Sequence, residues 1–292
     1  MSDDIDKMLS KIASRFTPEY FENLKISSYK QDRAYPENFS NWYPHIKSFG
    51  KFKHANVISN QILTLSDIEL LEEEHYGNVN FAEIRKVLQP TIDKMTPYKA
   101  YSLKNGCFSN KFEFNTSIVT DVDIAENLWK INYASSMLDT GGYTEIVVRE
   151  LISYNPDTTP TIYNGMPLRT ELRVFYNMQT HKIEYVADYW DYDYCYKYLH
   201  LTDKIVFDWF NTSTSRVKNL KYITDYVYQY IDTLKFDDML TGIWSIDFML
   251  CEDVSSVYDG IYLIDMARGF RSAYWDYNLL SEEGKQSIDK ER

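Results

Sequence analysis

Gly242 to Leu250 reads GIWSIDFML, Ile261 to Gly269 reads IYLIDMARG, and a ten-residue connection from Cys251 to Gly260 joins the two runs. Both are rich in β-branched and aromatic residues, the composition that fits a pleated, half-buried strand. Side chains alternate faces along a strand. Trp244, Ile246, Phe248 and Leu250 therefore point one way, while Ser245 and Asp247 point the other. A hairpin with Leu250 near Tyr262 sets Asp247 opposite Asp265. Two carboxylates directly across a sheet repel, and a divalent cation is the usual reason for tolerating them. The plainer alternatives are a shared proton, or a capping role for Asp265 at the following turn. Oxygen ligands with few His or Cys suit Mg²⁺ or Mn²⁺.

Working outward, four more β-like runs precede this pair: YKAYSLK (98–104), EIVVRELI (145–152), ELRVFY (171–176) and KIEYVADYW (182–190). The six together predict a mixed or antiparallel sheet system. Ala55 to Leu65 is a further strand candidate, and Ser66 to Glu74 an acidic helix. Helical spacing of apolar residues predicts helices over Thr120 to Leu138 and Val217 to Leu234, and an amphipathic helix over residues 3 to 16. Pro90 and Pro97 read as punctuation, and the tail SEEGKQSIDKER (281–292) as loosely ordered. Strands and helices mix without regular βαβ alternation, which defines an α+β class.

Composition excludes several functions. The chain has 292 residues with 43 acids against 31 bases, a net charge of -12, which opposes general binding to nucleic acid or anionic membranes. Three separated cysteines, Cys107, Cys195 and Cys251, support neither a disulfide framework nor a zinc site. The start MSDDIDKMLSKIASRF is acidic where a secretory signal is basic, and no run is long and apolar enough for a bilayer; a cytoplasmic location is expected. His45, His54, His75, His181 and His200 form no HExxH, and GxSxG, GxGxxG and the P-loop are absent. Asp191 and Asp193 in YWDYDYC allow a glycosidase-like acid pair as a minor alternative.

Cationic groups lie in order along the chain. In LKNGCFSNKF (103–112), Lys104 and Lys111 flank a turn of small residues, an arrangement that can aim ammonium groups at a polyphosphate or simply solvate two lysines. Arg149 and Arg173 sit within apolar β-runs, where they need partners. Phosphate serves, and so do Glu150 or Glu171 as salt bridges.

Taken in order, these phrases resemble the ATP-grasp superfamily. They are similar in particular to the eukaryotic cell division cycle ATP-grasp family that assists assembly of a translation initiation factor, and to bacterial and phage ATP-grasp proteins. The resemblance is carried by FSNWYPHIK (39–47), the Lys104–Lys111 region, VVRELI (147–152), TELRVFY (170–176) with KIEYVADYWDYDY (182–194), WSIDFML (244–250) and YLIDMARG (262–269). It implies an ATP-grasp fold, two α+β lobes gripping nucleotide. Residues 1–35 would form a helical extension, 36–144 the first lobe, 145–280 the second, and 281–292 a polar tail. It further implies that Lys104 or Lys111 contacts the ATP phosphates and that Glu145, Val147, Val148, Arg149, Glu150 and Leu151 form the hinge around adenine. Arg173 would face the phosphates or acyl group and act with Lys104 in catalysis, while Asp247 and Asp265 hold Mg²⁺. The family pattern places Asn two residues after the second acid, where this chain has Ala267. Arg268, Arg271 or Ser272 are the candidates to compensate. The expected activity is ATP- and Mg²⁺-dependent carboxylate-amine ligation through an acyl phosphate, with Arg169 and Tyr189 to Asp193 contacting a small-molecule or peptide substrate. The alternative is a nucleotide-binding assembly factor for a protein partner, without turnover.

Overall fold

The computed structural model describes residues 17–73, 79–106, 108–138, 143–152, 154–251 and 260–289. The amphipathic stretch 3–16 and Cys107 lie outside the described residues. The architecture is α+β, with two four-stranded antiparallel sheets whose polar faces meet. Strands in chain order are β1 (Ile46–Ser48), β2 (Val57–Ile62), β3 (Tyr101–Asn105), β4 (Ile118–Val119), β5 (Glu145–Glu150), β6 (Thr161–Ile162), β7 (Met166–Pro167), β8 (Glu171–Asn177), β9 (Lys182–Asp188), β10 (Lys235–Phe236), β11 (Ile243–Cys251) and β12 (Gly260–Arg268). The main helices are α1 (Pro18–Arg33), α2 (Leu65–Glu73), α3 (Phe81–Ile92), α4 (Ile124–Met137), α5 (Leu201–Thr212), α6 (Thr214–Tyr230) and α7 (Glu282–Asp289).

The first sheet has the order β2-β5-β3-β4. Alternation sends Tyr101, Leu103, Ile146 and Val148 into a core with Ile84 and Leu88 of α3 and Leu128 and Ile131 of α4. Ser102 lies opposite Arg149, and Lys104 opposite Val147, so these four share the other face. The second sheet runs β12-β11-β8-β9. Leu172, Val174, Trp244, Ile246 and Phe248 form its core face with Ile223 and Val227 of α6, which leaves Arg173 and Asp247 on the face turned toward the first sheet.

A β-bulge sets the phase of β12. Leu250 pairs with Ile261 and Phe248 with Leu263, then the register shifts, and Asp247 pairs with Asp265. Ile264 is the extra residue. Without it Asp265 would follow Ile261 and Leu263 onto the core face; with it, Met266 takes the core position and Asp265 turns to the cleft. The expected pairing of Leu250 with Tyr262 is thus off by one, although the acids do stand opposite each other.

Several expectations change. The six β-runs divide between two sheets. β5, expected to open the second lobe at residue 145, is an interior strand of the first sheet. Conversely Phe39 and Trp42 pack in the core beneath the second sheet, because β1 pairs with β10. Pro90 lies in the last turn of α3 and does not stop it. The tail is not loose up to Asp289, since α7 buries Ile288 with Leu280, Phe175 and Ile243. Gly284 allows that approach: a Cβ there would stand 2.6 Å from Glu184 Oε1. No helix among the described residues is long and apolar enough to cross a membrane.

Candidate functional site

The meeting of the two polar faces places opposite charges across the gap. Lys104, only 2% exposed, sends Nζ from the first sheet to within 3.0 Å of both oxygens of Asp265. Arg149 Nη1 donates to the Ile264 carbonyl at 2.7 Å, so the bulge carbonyl is satisfied from the other sheet. Arg173 forms a two-pronged bond to Asp247, Nε to Oδ1 and Nη2 to Oδ2, each at 2.7 Å. Its guanidinium also lies 4.8 Å from the centre of the Tyr189 ring. Lys111, at the start of the 3₁₀ segment Lys111–Ser117, donates to the Tyr189 hydroxyl and stands 4.3 Å above that ring.

These pairings alter the electrostatic account of Asp247 and Asp265. Their repulsion is already offset, one acid by Arg173 and the other by Lys104, so no cation is required to make the pair tolerable. Burial alone would raise the Asp265 carboxyl, but Lys104 and Arg149 outweigh it and hold it below its ordinary value. Burial likewise works against the Lys111 ammonium, yet Tyr189, Glu171 and Asp247 raise its pKa. Glu171, 3% exposed, is pushed up to about 7 by burial, with Lys111 opposing and Asp247 adding to the rise.

Two cavities meet at this cluster. One of about 150 Å³ is lined by Ser102, Arg149, Leu151, Ile152, Arg169 and Glu171. The other, of about 680 Å³, has an aromatic wall that includes Phe108, Phe112, Tyr163, Tyr194 and Tyr274. Ser109, Lys111, Asp247 and Asp265 line both, so a molecule reaching from one into the other passes the charged cluster.

The other expected site residues fall into two groups. Glu150 and Leu151 line the smaller cavity, and Glu150 also accepts from Asn56 Nδ2 at 2.9 Å. Arg169 lines the same cavity, while Tyr189 lines the larger one. Val148 instead lies in the core of the first sheet, and Val147 is fully buried in the core cluster of the second. Glu145 is fully buried too, with both oxygens 3.2 Å from the Ser40 amide nitrogen. None of the three lines either cavity, so a hinge spanning all of Glu145 to Leu151 does not match the geometry. Arg149 pairs with neither Glu150 nor Glu171 but with the Ile264 carbonyl. Asp191 caps a helical turn by accepting from Tyr194 N at 2.9 Å, and Asp193 is exposed, which removes the basis for a glycosidase pair.

Ala267 lines the larger cavity with Arg271 and Ser272. Arg268 turns away, stacking 5.2 Å from the Trp244 ring, and Arg271 leans on Tyr35 at 4.3 Å. Ser272 shares a hydrogen bond with Ser245 at 2.6 Å. The two arginines have no side-chain oxygen to offer in place of the Asn amide oxygen, and the Ser272 hydroxyl is taken up by Ser245 and the Arg268 carbonyl. Among the described residues, no group of three or more His, Cys, Asp or Glu is arranged to hold a metal. Two carboxylates alone fit Mg²⁺ only when phosphate oxygens and water complete its six positions. The donor set therefore fits a phosphate-supported ion and not a cage built by the protein. Glu171 was the site residue least visible in the sequence, its one signal being the two-residue spacing that puts it beside Arg173.

No family model matches the chain, and no curated protein matches it either.

Proposed function

We propose that the cleft between the two sheets binds ATP with Mg²⁺ in the manner of ATP-grasp proteins, and that the protein is a carboxylate-amine ligase. The observation that carries this is the convergence of Lys111, Asp247 and Asp265 where the two cavities join, with Lys104, which lines neither cavity, bound to Asp265 from behind. The smaller cavity would take the nucleoside side and the larger the second reactant, with the phosphates at the junction.

In such ligation the carboxylate oxygen attacks the γ-phosphorus, ADP leaves, and an amine then displaces phosphate from the acyl phosphate to give an amide. The protein needs no covalent nucleophile. Lys104 and Lys111 would bind and orient the phosphates, and Arg173 would fix Asp247 while presenting its own charge to the transferring group. Bound Mg²⁺, held by Asp247 and Asp265 together with phosphate oxygens, supplies charge neutralisation.

Ala267 favours a second reading, a nucleotide-binding assembly factor for a protein partner, because one metal ligand of the catalytic pattern is absent. Phosphate release in the presence of ATP, Mg²⁺ and pooled amino acids or peptides separates the two. Release that requires an added amine supports ligation; tight ATP binding without release supports the assembly role; no ATP binding refutes both.

A further inference from the structure

Eight of the nineteen described residues that line the larger cavity are aromatic, against 16% of the chain. Its volume of about 680 Å³ falls in the range of roughly 300–1,000 Å³ that encloses a small organic ligand. Several of the rings are not covered by the protein: Phe112 is 55% exposed, Tyr198 60% and Tyr194 39%. They meet in pairs, Phe112 edge to face with Tyr163 at 5.1 Å and Tyr194 with Tyr274 at 4.5 Å.

Two of these rings are placed at a cost to the backbone. Tyr163 and Tyr274 have φ of 48° and 67°, a region that bulky residues rarely adopt and that persists mainly where ligands are held. Tyr163 opens the tight turn between β6 and β7 with Asn164, also at positive φ, in positions that Asn, Asp and Gly usually fill. An aromatic ring there serves the cavity and not the turn.

The charged groups of the lining select the other end of a ligand. Arg173 pairs Asp247 and Lys104 pairs Asp265, so both acids are answered within the protein. Lys111 donates to the Tyr189 hydroxyl, which uses one of the three N–H groups of its ammonium and leaves two without a partner among the described residues. The other acid that acts on Lys111 is Glu171, whose charge burial suppresses up to about 7. An anionic oxygen is the complement to what Lys111 still offers.

We propose that the second reactant is an aromatic carboxylic acid, its ring against the Phe112–Tyr163 and Tyr194–Tyr274 pairs and its carboxylate at Lys111. This substrate class rests on the ligase reading, in which the carboxylate meets the γ-phosphate beside Lys111, a residue lining both cavities.

The test is ligand-observed NMR with calorimetric titration of the full chain, without nucleotide, using 3-phenylpropanoate, propanoate and 2-phenylethylamine up to about 10 mM. 3-Phenylpropanoate should bind saturably and at least tenfold more tightly than propanoate, which lacks the ring, or 2-phenylethylamine, which has the opposite charge. Phe112→Ala with Tyr163→Asn in one chain should weaken the acid at least tenfold; Phe112 is exposed and Asn accepts the positive φ of residue 163, so the fold is kept. ATP with Mg²⁺, titrated separately, should bind wild type and this variant equally. The substrate class is overturned, with ATP binding intact, if 3-phenylpropanoate does not saturate, binds no better than propanoate, or binds the variant as well as wild type. Displacement of 3-phenylpropanoate by adenosine also overturns it, because the aromatic wall would then belong to the nucleobase. Absence of ATP binding, with 3-phenylpropanoate still preferred, sinks the ligase reading and leaves the aromatic-acid site standing.

Discussion

Replacing Glu171 by Gln tests the electrostatics of the cleft without reference to any ligand. Burial raises this carboxyl from an ordinary 4.5 to about 7, with the Asp247 charge adding and Lys111 opposing. A difference of that size corresponds to roughly 3 kcal/mol. The sign follows from which state holds the proton. Between pH 4.5 and 7 the folded chain keeps the Glu171 proton while the unfolded chain has lost it, so the unfolded state binds fewer protons and stability falls as pH rises. The contribution is whole below 4.5 and gone above about 7. Gln keeps the shape and does not titrate. Other groups also change stability over this range, but they cancel in the difference between wild type and variant. Urea unfolding followed by tryptophan fluorescence should therefore show Glu171→Gln gaining roughly 3 kcal/mol on wild type between pH 4.5 and pH 8. A difference that does not vary with pH would refute burial as the dominant influence on the Glu171 carboxyl.

Other substitutions address the ion pairs and the nucleotide. Lys104→Met should weaken ATP binding in Mg²⁺ at least tenfold by calorimetry with circular dichroism unchanged; equal affinity would count against the phosphate assignment. Asp247→Asn strands the Arg173 guanidinium and should cost about 3–5 kcal/mol in unfolding free energy, part of which Arg173→Met in the same chain restores. If the single substitution costs nothing, the two-pronged pair is not structural. Ala267→Asn restores an oxygen ligand and should tighten Mg²⁺-dependent nucleotide binding several-fold, whereas Mg²⁺ without nucleotide should show no binding to either protein. Measurable binding of the ion alone would contradict a phosphate-supported site.

The acid pair was legible because alternation is strict: once Trp244, Ile246, Phe248 and Leu250 are assigned to a core, Asp247 must face away. What alternation cannot give is a bulge. Ile264 is as apolar as its neighbours, and only the pairing reveals that it shifts the phase and turns Asp265 outward. The partners of the acids were hidden for a related reason. Arg173 was expected to meet phosphate, Glu150 or Glu171, and only the register of β8 against β11 sets it opposite Asp247, while Lys104 reaches Asp265 across 161 residues of sequence. The boundary after residue 144 failed because β5 carries the same apolar run whichever sheet it joins. The helices α3 and α5 went unassigned, α3 because Pro90 reads as a stop although the helix continues two residues past it. α7 looks polar because a short helix needs few apolar residues, here chiefly Ile288, to dock. The hinge residues show where resemblance outruns geometry: Val148 is buried by the same alternation that exposes Arg149 to the cleft.

The most direct test of the central claim is a crystal structure of the protein grown with a non-hydrolysable ATP analogue and Mn²⁺, with anomalous data to locate the metal. The account predicts manganese within bonding distance of Asp247 and Asp265 and of the analogue's phosphates, with Lys104 and Lys111 turned to those phosphates. Analogue bound elsewhere, or metal density remote from both carboxylates, would contradict it.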